Sequence, residues 1–375
     1  MSASPIARWA LDPAVVHLNH GSFGGCLRSV LAEAAALRAR LEANPMRFFV
    51  LDWQAELDRA RAALAAFVGA PAERLVFVPS STTGVAIALR SLGLAAGDAV
   101  LATDHGYRAV ANQIARLGVD VQRVHVALPF DPDAFVAAVA AALTPRTRLA
   151  IFDHITSPTA LVLPLERVLP LCAARGVATI VDGAHAPGQL PLDIAALGAT
   201  YYVGNNHKWL CAPKGSGFLV AAADAPVVPV VTSHGASPEY GPPNRMHAEL
   251  DWSGTHDPVA HLAVPAAIDH VAAEGGGWPA IMARNRALVL AMRERMTRRP
   301  LAPAAAVGAM AAMPLTLPAG TTPLALERQL LESGWEVPIV DFATGPLVRI
   351  SAHLYNTVDE AERLARELHA RGCRL

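Results

Sequence analysis

The sequence predicts an α/β protein with a mostly parallel β-sheet covered by helices on both faces, followed by a smaller α+β domain. Between about residues 75 and 205, short apolar strands alternate with helical segments, an order that favours parallel strands joined by helical crossovers. After about residue 265 the pattern changes to helices mixed with isolated strands. Parallel strands end at one edge of a sheet, so polar residues that follow them are expected to meet there. Such clusters follow five predicted strands, at 81–83, 104–105, 154–157, 182–185 and 205–208.

Hydrophobic periodicity and stop signals locate the individual elements. A helix at 54–69 has apolar residues on one face and Gly69 at its end. Strands are predicted at 75–78, 99–102, 121–126, 149–152, 177–181 and 199–203, with helices at 81–92, 107–117, 131–143 and 165–175. The C-terminal part is predicted as a helical stretch at 264–296, a strand at 313–317, a helix at 324–333, strands at 336–340 and 347–351, and a helix at 358–371. These elements predict an N-terminal arm at 1–20, a large domain at 21–265 with a helical lead-in to about residue 70, and a small domain at 266–375.

The composition is that of a well-buried globular enzyme. Of 375 residues, 53% are apolar and 17% are charged, and a net charge of −1 gives no basic face for nucleic acid or anionic lipid. No apolar run reaches about 18 residues, so no membrane span is expected, and the N-terminus lacks a secretory signal. The four cysteines form no CxxC pair, which argues against a zinc ribbon or a disulfide framework. We therefore expect a cytoplasmic protein.

A lysine and an aspartate at the predicted sheet edge carry the clearest chemical signal. Asp182 directly follows the strand at 177–181, and Lys208 follows two amides and a histidine at 205–207. Pyridoxal phosphate (PLP) needs such a pair, because the lysine forms a Schiff base with it and the aspartate keeps its pyridine nitrogen protonated. Each residue alone also fits an ordinary role, since Lys208 can occupy a surface turn and Asp182 can cap a helix. Their occurrence together favours the cofactor.

Neighbouring residues fit the same cofactor, although each has a plainer interpretation. The hydroxyl residues at 81–84 open a helix, where they can bind phosphate or simply cap the helix. His185 can bond to the phenolic oxygen of the cofactor and His105 can stack on its ring, but a surface histidine and a turn residue are the alternatives. The Asp/His pairs leave a metallohydrolase open, but no HxH or HExxH spacing supports a metal. Dinucleotide, P-loop and GxSxG signatures are also missing from the sequence.

These motifs resemble the class V aminotransferase family of fold-type I PLP enzymes, a group that also contains the cysteine desulfurases. Within the family, the resemblance is closest to the isopenicillin N epimerase-like branch. Desulfurases carry a catalytic cysteine shortly before the carboxylate-binding arginine, and the stretch at 337–349 contains none, so persulfide chemistry is not expected. The matching segments extend over almost the whole chain, at 16–24, 103–107, 157–159, 181–188, 204–210, 254–257, 349–351 and 355–356.

The resemblance implies a role for each residue of the site. Lys208 would be the Schiff-base lysine, Asp182 the partner of the pyridine nitrogen, and His105 the residue that stacks on the ring. The residues near the phenolic oxygen would be Ser157 and His185. The residues that hold the phosphate would be Thr82, Thr83, Asn205, His207 and, from the neighbouring subunit of an obligate homodimer, Thr255. Arg349 would bind the substrate carboxylate as a bidentate fork. The residues that approach the substrate from the N-terminal arm would be Asn19 and His20.

The resemblance further implies an enzyme that acts at the α-carbon of an amino acid or an amino-acid-derived substrate, with epimerisation as the leading hypothesis. Lys208 would remove the α-proton, and inversion needs a second donor on the opposite face, for which His105 and Tyr107 are the candidates. A C–S lyase acting by β-elimination and a class V aminotransferase are the enzymic alternatives. A catalytically idle binding protein on the PLP scaffold is the alternative of another class. The candidates for the side-chain pocket are Phe23, Arg47, Phe48, Tyr240 and Trp252.

Overall fold

The computed structural model describes residues 5–375. Its strands are β1 (Val16–His17), β2 (Leu75–Val78), β3 (Ala99–Thr103), β4 (Asp120–Val124), β5 (Thr147–Asp153), β6 (Ala178–Asp182), β7 (Tyr201–Asn205), β8 (Gly217–Ala221), β9 (Met310–Pro314), β10 (Trp335–Glu336), β11 (Ile339–Val340) and β12 (Leu347–Ser351). Its α-helices are α1 (His20–Phe23), α2 (Arg28–Ala43), α3 (Pro45–Arg47), α4 (Trp53–Val68), α5 (Ser81–Leu92), α6 (Arg108–Ala115), α7 (Pro132–Ala142), α8 (Leu165–Ala173), α9 (Ile194–Leu197), α10 (Arg245–Leu250), α11 (Val259–Leu262), α12 (Val264–Gly275), α13 (Trp278–Met296), α14 (Pro323–Glu332) and α15 (Val358–Ala370). Short 3-10 turns lie at Pro5–Arg8, Ala72–Arg74, His234–Ala236 and Ala304–Ala306, and a π-helical turn at Phe48–Asp52.

Seven strands form one mixed sheet in the order β2-β8-β7-β6-β5-β3-β4. β8 is antiparallel to both of its neighbours, and the other neighbouring strands are parallel. Alternate residues of each strand pack into two separate cores, so that Tyr202 and Phe218 join one and Tyr201 and Leu219 the other. A sheet covered on both faces requires strands that are apolar throughout. The predicted fold class, α/β with a mostly parallel mixed sheet, is confirmed.

The sequence-based assignment misses β8, the strand between β2 and β7. Its five residues are all buried, but a run this short, beginning with Gly217, gives no periodicity to distinguish it from a loop. β8 matters for the site because it reverses direction between its two neighbours. β2 and β7 therefore run the same way and end at the same edge of the sheet.

The predicted elements of the C-terminal part are present, with shifted boundaries. The helical stretch expected at 264–296 is two helices, because Gly276 and Gly277 adopt φ of +75° and +99° between α12 and α13. The strand expected at 313–317 is β9, which begins at Met310. The strand expected at 336–340 is divided into β10 and β11 at Pro338, which has no N–H to donate to a ladder. β11, β12 and β9 form an antiparallel sheet.

The N-terminal segment packs against both the C-terminal part and the lysine-bearing turn. β1 pairs in parallel with β10, and the Leu18 N–H donates to the Glu336 carbonyl at 2.9 Å. A Cβ at Gly24, which has φ of +72°, would lie 2.2 Å from the carbonyl oxygen of His207, so only glycine permits this approach. The predicted boundaries of arm, large domain and small domain stay predictions.

Candidate active site

The carboxyl ends of the parallel strands surround a cavity of about 170 Å³, called the rim cavity below. β5, β6 and β7 end in Asp153, Asp182 and Asn205, and β2 leads into the start of α5 at the same edge. The predicted site residues that line the cavity are Thr82, Ser157, Asp182, His185, Asn205, His207 and Lys208. The other lining residues are Ser22, Phe23, Ser80, Ser81, Tyr107, Asp153, Ile155 and Ala184.

Lys208 lies in the turn after β7 and reaches into the rim cavity. Its Nζ atom donates a hydrogen bond of 3.4 Å to His185 Nε2. Burial lowers the pKa of Lys208 to about 8, and the Asp182 carboxylate opposes part of this shift. An amine with a pKa this close to neutrality can act as a nucleophile and can carry a proton in both directions.

Asp182 and His185 leave β6 together and flank the lysine. Asp182 is 4% exposed, and its Oδ1 atom accepts a hydrogen bond of 3.0 Å from the Ala184 N–H. His185 Nδ1 is buried and has no hydrogen-bond partner among residues 5–375, and burial lowers the His185 pKa well below its usual value. A neutral ring with an unpaired nitrogen retains hydrogen-bonding capacity for a ligand.

The start of α5 supplies hydroxyl and N–H groups to the rim cavity. Ser80 is the N-cap, and its hydroxyl accepts from the Thr83 N–H at 3.4 Å. Asn205 fixes the first turn from β7, since its Oδ1 accepts from the Ser81 N–H at 2.8 Å and its Nδ2 donates to Ser81 Oγ at 3.2 Å. Anions bind at helix N-termini of this kind. Ser80 and Ser81 therefore join Thr82 as phosphate-binding candidates.

Two other predicted phosphate contacts differ in their placement. His207 Nδ1 donates to the Ser216 carbonyl at 2.8 Å, and burial lowers the His207 pKa to about 4, so the ring faces the cavity neutral. Thr83 does not line the rim cavity, because it lies one position further into α5 and faces a separate cavity beside Trp53 and His261. Its predicted contact with the phosphate is not supported by this position.

Arg349, on β12, does not itself line the rim cavity, and neither does Asn19, but Arg349 contacts two residues that do, Ser22 and Ser157. Its guanidinium donates to the Ser157 carbonyl, to Ser22 Oγ at 2.8 Å and to Asn19 Oδ1 at 3.3 Å. Burial lowers the Arg349 pKa to about 10, which leaves it cationic at neutral pH. No carboxylate lies within 4.0 Å of it among residues 5–375. A buried guanidinium without a carboxylate partner suits a substrate carboxylate, and the predicted Asn19 is beside it.

His20 does not face the rim cavity, contrary to its predicted contact with the substrate. Its Nδ1 atom lies 2.8 Å from the Tyr355 hydroxyl, and its Nε2 atom donates to the Lys208 carbonyl at 3.2 Å. The His20 ring stacks on His353 with centroids 4.1 Å apart, and Cys211 Sγ lies 3.6 Å from His20 Nε2. We call these four side chains, His20, Cys211, His353 and Tyr355, the histidine cluster. The cluster supports the lysine-bearing turn from behind.

His105 is also placed away from the rim cavity. Its Nδ1 atom lies 2.8 Å from Thr159 Oγ1, and its ring packs edge-on against Phe342 with centroids 4.8 Å apart. Tyr107, two residues further along the same loop, lines the cavity instead. The predicted stacking of His105 on the cofactor is not supported by this geometry, and Tyr107 is the candidate that the loop presents.

The remaining predicted residues lie outside the rim cavity of a single chain. Thr255 is exposed and far enough along the surface to line none of it. Of the side-chain pocket candidates, only Phe23 lines the cavity. Two others, Arg47 and Phe48, line a groove at α2 and α4, and the last two, Tyr240 and Trp252, line a pocket beside α10.

Comparisons with known proteins identify the family of the chain. The family model described as aminotransferase class-V matches residues 27–364. The chain belongs to the class V aminotransferase family. An isopenicillin N epimerase of Amycolatopsis lactamdurans is 40% identical, over 96% of each chain. A putative L-cysteine desulfhydrase 2 of Oryza sativa subsp. japonica is 37% identical over 75% of this chain and 63% of its own length. A cystine C–S lyase in complex with cysteine persulfide has the same fold, with a TM-score of 0.82, 23% identity and coverage of 94% of this chain and 97% of its own.

PLP is the cofactor of this enzyme family, and the rim cavity fits it. Lys208 supplies the amine, and Asp182 supplies a buried carboxylate beside it. The unpaired His185 Nδ1 and the N–H groups at the start of α5 supply donors for the oxygen and phosphate groups. The sequence-based identification of family and cofactor is confirmed.

Proposed function

We propose that this enzyme inverts the α-carbon of an amino acid or an amino-acid-derived substrate. The observation that carries the proposal is that two side chains able to carry protons, Lys208 and Tyr107, face one cavity from the ends of β7 and β3. β6 and β5 lie between those strands in the sheet, so Asp182 and Asp153 separate the two groups. An epimerase requires a proton carrier on each face of the reacting carbon. The similarity to an isopenicillin N epimerase supports the same reaction.

The residues divide the chemistry between them. Bound PLP supplies an electron sink that makes the substrate α-hydrogen acidic. Arg349 holds the substrate carboxylate and thereby orients the α-carbon. Lys208, whose pKa burial lowers to about 8, takes the α-proton on one face, and the Tyr107 hydroxyl delivers a proton on the other. Asp182 holds the negative charge that keeps the pyridine nitrogen protonated, and His185 offers a hydrogen bond at its free Nδ1.

Incubation of the PLP-loaded enzyme with amino acids and small peptides in deuterated water distinguishes the possible reactions. Deuterium at the α-carbon with inverted configuration is the expected result. Release of pyruvate and a thiol would identify a C–S lyase, and formation of a keto acid would identify an aminotransferase. No exchange, together with no reducible adduct at Lys208, would identify an idle binding protein.

Tyr107→Phe tests the second proton carrier directly. We expect the α-hydrogen to exchange with solvent with retained configuration, because Lys208 still acts, while inversion falls roughly 10²–10⁴-fold. The matched control is His105→Asn from the same loop, which should retain inversion. If Tyr107→Phe inverts its substrate at the wild-type rate, or if His105→Asn loses inversion, the second proton carrier would be His105 instead of Tyr107.

A C–S lyase is the second candidate, because a desulfhydrase is among the similar proteins. β-Elimination needs only the proton carrier at Lys208 and leaves Tyr107 without a part in the reaction. Thiol release unaffected by Tyr107→Phe would therefore favour the lyase. The aminotransferase and the idle scaffold have no observation of their own in the geometry.

We also propose a homodimer in which Thr255 completes the phosphate site of the neighbouring subunit. Within one chain Thr255 is exposed, and the surface carries large exposed apolar side chains, of which Phe23 is 68% and Met46 74% exposed. Such side chains are typical of subunit interfaces. Light scattering should give twice the chain mass. Mixing Lys208→Ala with Thr255→Ala subunits at limiting PLP should restore turnover in one site of each mixed dimer, whereas a Thr255 that acts within its own chain gives no recovery.

The remaining predictions concern the membrane, the substrate and the location of the protein in the cell. No helix within residues 5–375 is long and apolar enough to cross a membrane. An amino-acid substrate fits the Arg349 and Lys208 geometry, and a cytoplasmic location stays a prediction.

A further inference from the structure

A second carboxyl group stands beside Asp182, and neither the sequence patterns nor the reaction above uses it. Asp153 ends β5 and is the register partner of Asp182 at the end of the parallel strand β6. Residues paired in this way have side chains on the same face of a sheet, with strands about 4.8 Å apart. Both carboxyls are buried, at 7% and 4% exposed, and both line the rim cavity.

Asp153 lies near an unpaired hydroxyl group, and no cationic side chain lies within 4.0 Å of its carboxylate among residues 5–375. Its Oδ2 atom lies 3.7 Å from the point where a Cβ of Gly106 would be, and Thr103 Oγ1 lies 3.9 Å from that point. Thr103 Oγ1 is itself buried without a hydrogen-bond partner among residues 5–375. Asp153 therefore has Asp182 on the neighbouring strand β6 and an unpaired hydroxyl, that of Thr103, on the neighbouring strand β3.

Two buried carboxyl groups at adjacent strand positions cannot both be ionised at neutral pH. Burial and the neighbouring Asp182 carboxylate raise the pKa of Asp153 well above its usual value, and burial raises the pKa of Asp182 as well. The titratable groups of the elements packed around the pair are Lys208 and Tyr202 from β7 and its turn, His185 after β6, His154 after β5, and His105 and Tyr107 after β3. Asp104, Arg108 and Arg123 line a second cavity that also contains both carboxyls. Lys208 supplies the positive charge on the rim-cavity side, and it opposes part of the rise in the pKa of Asp153 and of Asp182.

We propose that Asp153 is a positioning residue that keeps its proton and donates a hydrogen bond to the Asp182 carboxylate. This bond fixes the orientation and the charge of the group that meets the pyridine nitrogen. The inference rests on Asp182 as the partner of PLP, and it does not depend on which reaction follows.

A second cavity also borders the pair. This cavity of about 210 Å³ is lined mainly by residues of β3, β4 and α6, and it includes both Asp153 and Asp182. The proton count of the pair should follow the solution pH in both the apo and the PLP-loaded protein.

The first test is the unfolding equilibrium of the apo protein as a function of pH. A carboxyl group whose folded pKa is raised stabilises the fold below its unfolded pKa of about 4, and this contribution is lost as the pH rises toward the folded pKa. Asp153→Asn removes this pH-dependent contribution to the free energy of unfolding. Relative to wild type, the unfolding equilibrium constant of the variant should fall about tenfold for each pH unit above 4, until the folded pKa is reached. Thr103→Val, which replaces the unpaired hydroxyl next to the pair and changes no titratable group, is the control and should follow the pH profile of wild type.

The second test separates hydrogen bonding from the filling of space in the PLP-loaded enzyme. Asparagine at position 153 can still donate to Asp182, whereas leucine of similar size cannot. We expect Asp153→Leu to weaken PLP binding about tenfold or more and to shift the pH titration of the cofactor absorbance, with Asp153→Asn close to wild type. Equal behaviour of the two variants, or an apo pH profile of Asp153→Asn that matches wild type, would overturn the proposal. Either failure leaves the proposed epimerase activity standing.

Discussion

Two buried polar regions meet at the lysine-bearing turn, and they differ in what they contact. The strand-end residues Asp153 and Asp182 line the rim cavity, whereas the histidine cluster behind the turn lines none of it. Both regions contain shifted groups, since burial lowers the pKa of His20 to about 3 and that of Lys208 to about 8. A shifted pKa therefore reports burial in both regions. The regions differ in contact with the rim cavity, which is direct for Lys208 and Asp182 and passes through Ser22 and Ser157 for Arg349.

The largest expected difference between the regions follows from Lys208→Ala. Turnover should fall at least about 10²–10⁴-fold, because the variant loses the proton carrier and the bond to the cofactor. Steady-state kinetics and the absorbance of the PLP adduct measure this loss. Lys214→Ala, which removes a nearby exposed lysine that donates to the Gly24 carbonyl, is the matched control and should retain turnover.

His353→Ala should have the opposite signature and act on stability. The fully buried ring stacks on His20, and its loss leaves a cavity, so the free energy of unfolding should fall by about 2–4 kcal/mol. Denaturant unfolding of the apo protein measures the change. A large loss of kcat in a folded His353→Ala protein, without loss of stability, would contradict the division between the two regions.

Arg349→Lys tests whether the planar fork is required on the cavity side. Lysine keeps the charge but cannot make a bidentate contact, so kcat/KM should fall roughly 10–100-fold, mainly through KM. Substrates without a carboxylate should lose nothing on this substitution. An equal loss for both kinds of substrate would mean that Arg349 acts through Ser157 and Ser22 instead.

Taken over one pH unit, the smallest effect is a change in the slope of stability with pH. The His20 pKa is about 3 in the folded protein, so below its unfolded value of about 6.5 the unfolded chain gains a proton that the folded chain does not. The free energy of unfolding should therefore fall by about 1.4 kcal/mol per pH unit as the pH drops from 6.5. His20→Asn should reduce the slope by that amount.

The strand-end half of the site is predictable from the sequence, and the supporting half is not. Asp182, Asn205 and Lys208 follow buried strands, and parallel strands place their ends together whatever the rest of the chain does. The sequence does not predict which side chain of a loop faces the cavity. Gly106 separates His105 from Tyr107, and the local turn, which leaves no periodic signal, directs Tyr107 inward and His105 toward Phe342.

The histidine cluster cannot be predicted from the sequence, for a different reason. His20, Cys211 and His353 come from three segments far apart in the chain, and each is unremarkable in its own segment. Their association follows from the docking of the N-terminal arm, which a single sequence does not indicate. Asp153 was visible as one of several Asp/His pairs, but its pairing with Asp182 depends on the strand order, which periodicity cannot supply.

The pairing of β1 with β10 has a consequence for biosynthesis. His17 and Glu336, which lie side by side in this ladder, are 319 residues apart in the chain. On the ribosome, β1 emerges long before its partner β10 is translated. The support behind Lys208 is therefore completed only after β10 has emerged, and a nascent chain that has finished the seven-stranded sheet still has an undocked arm behind its lysine-bearing turn.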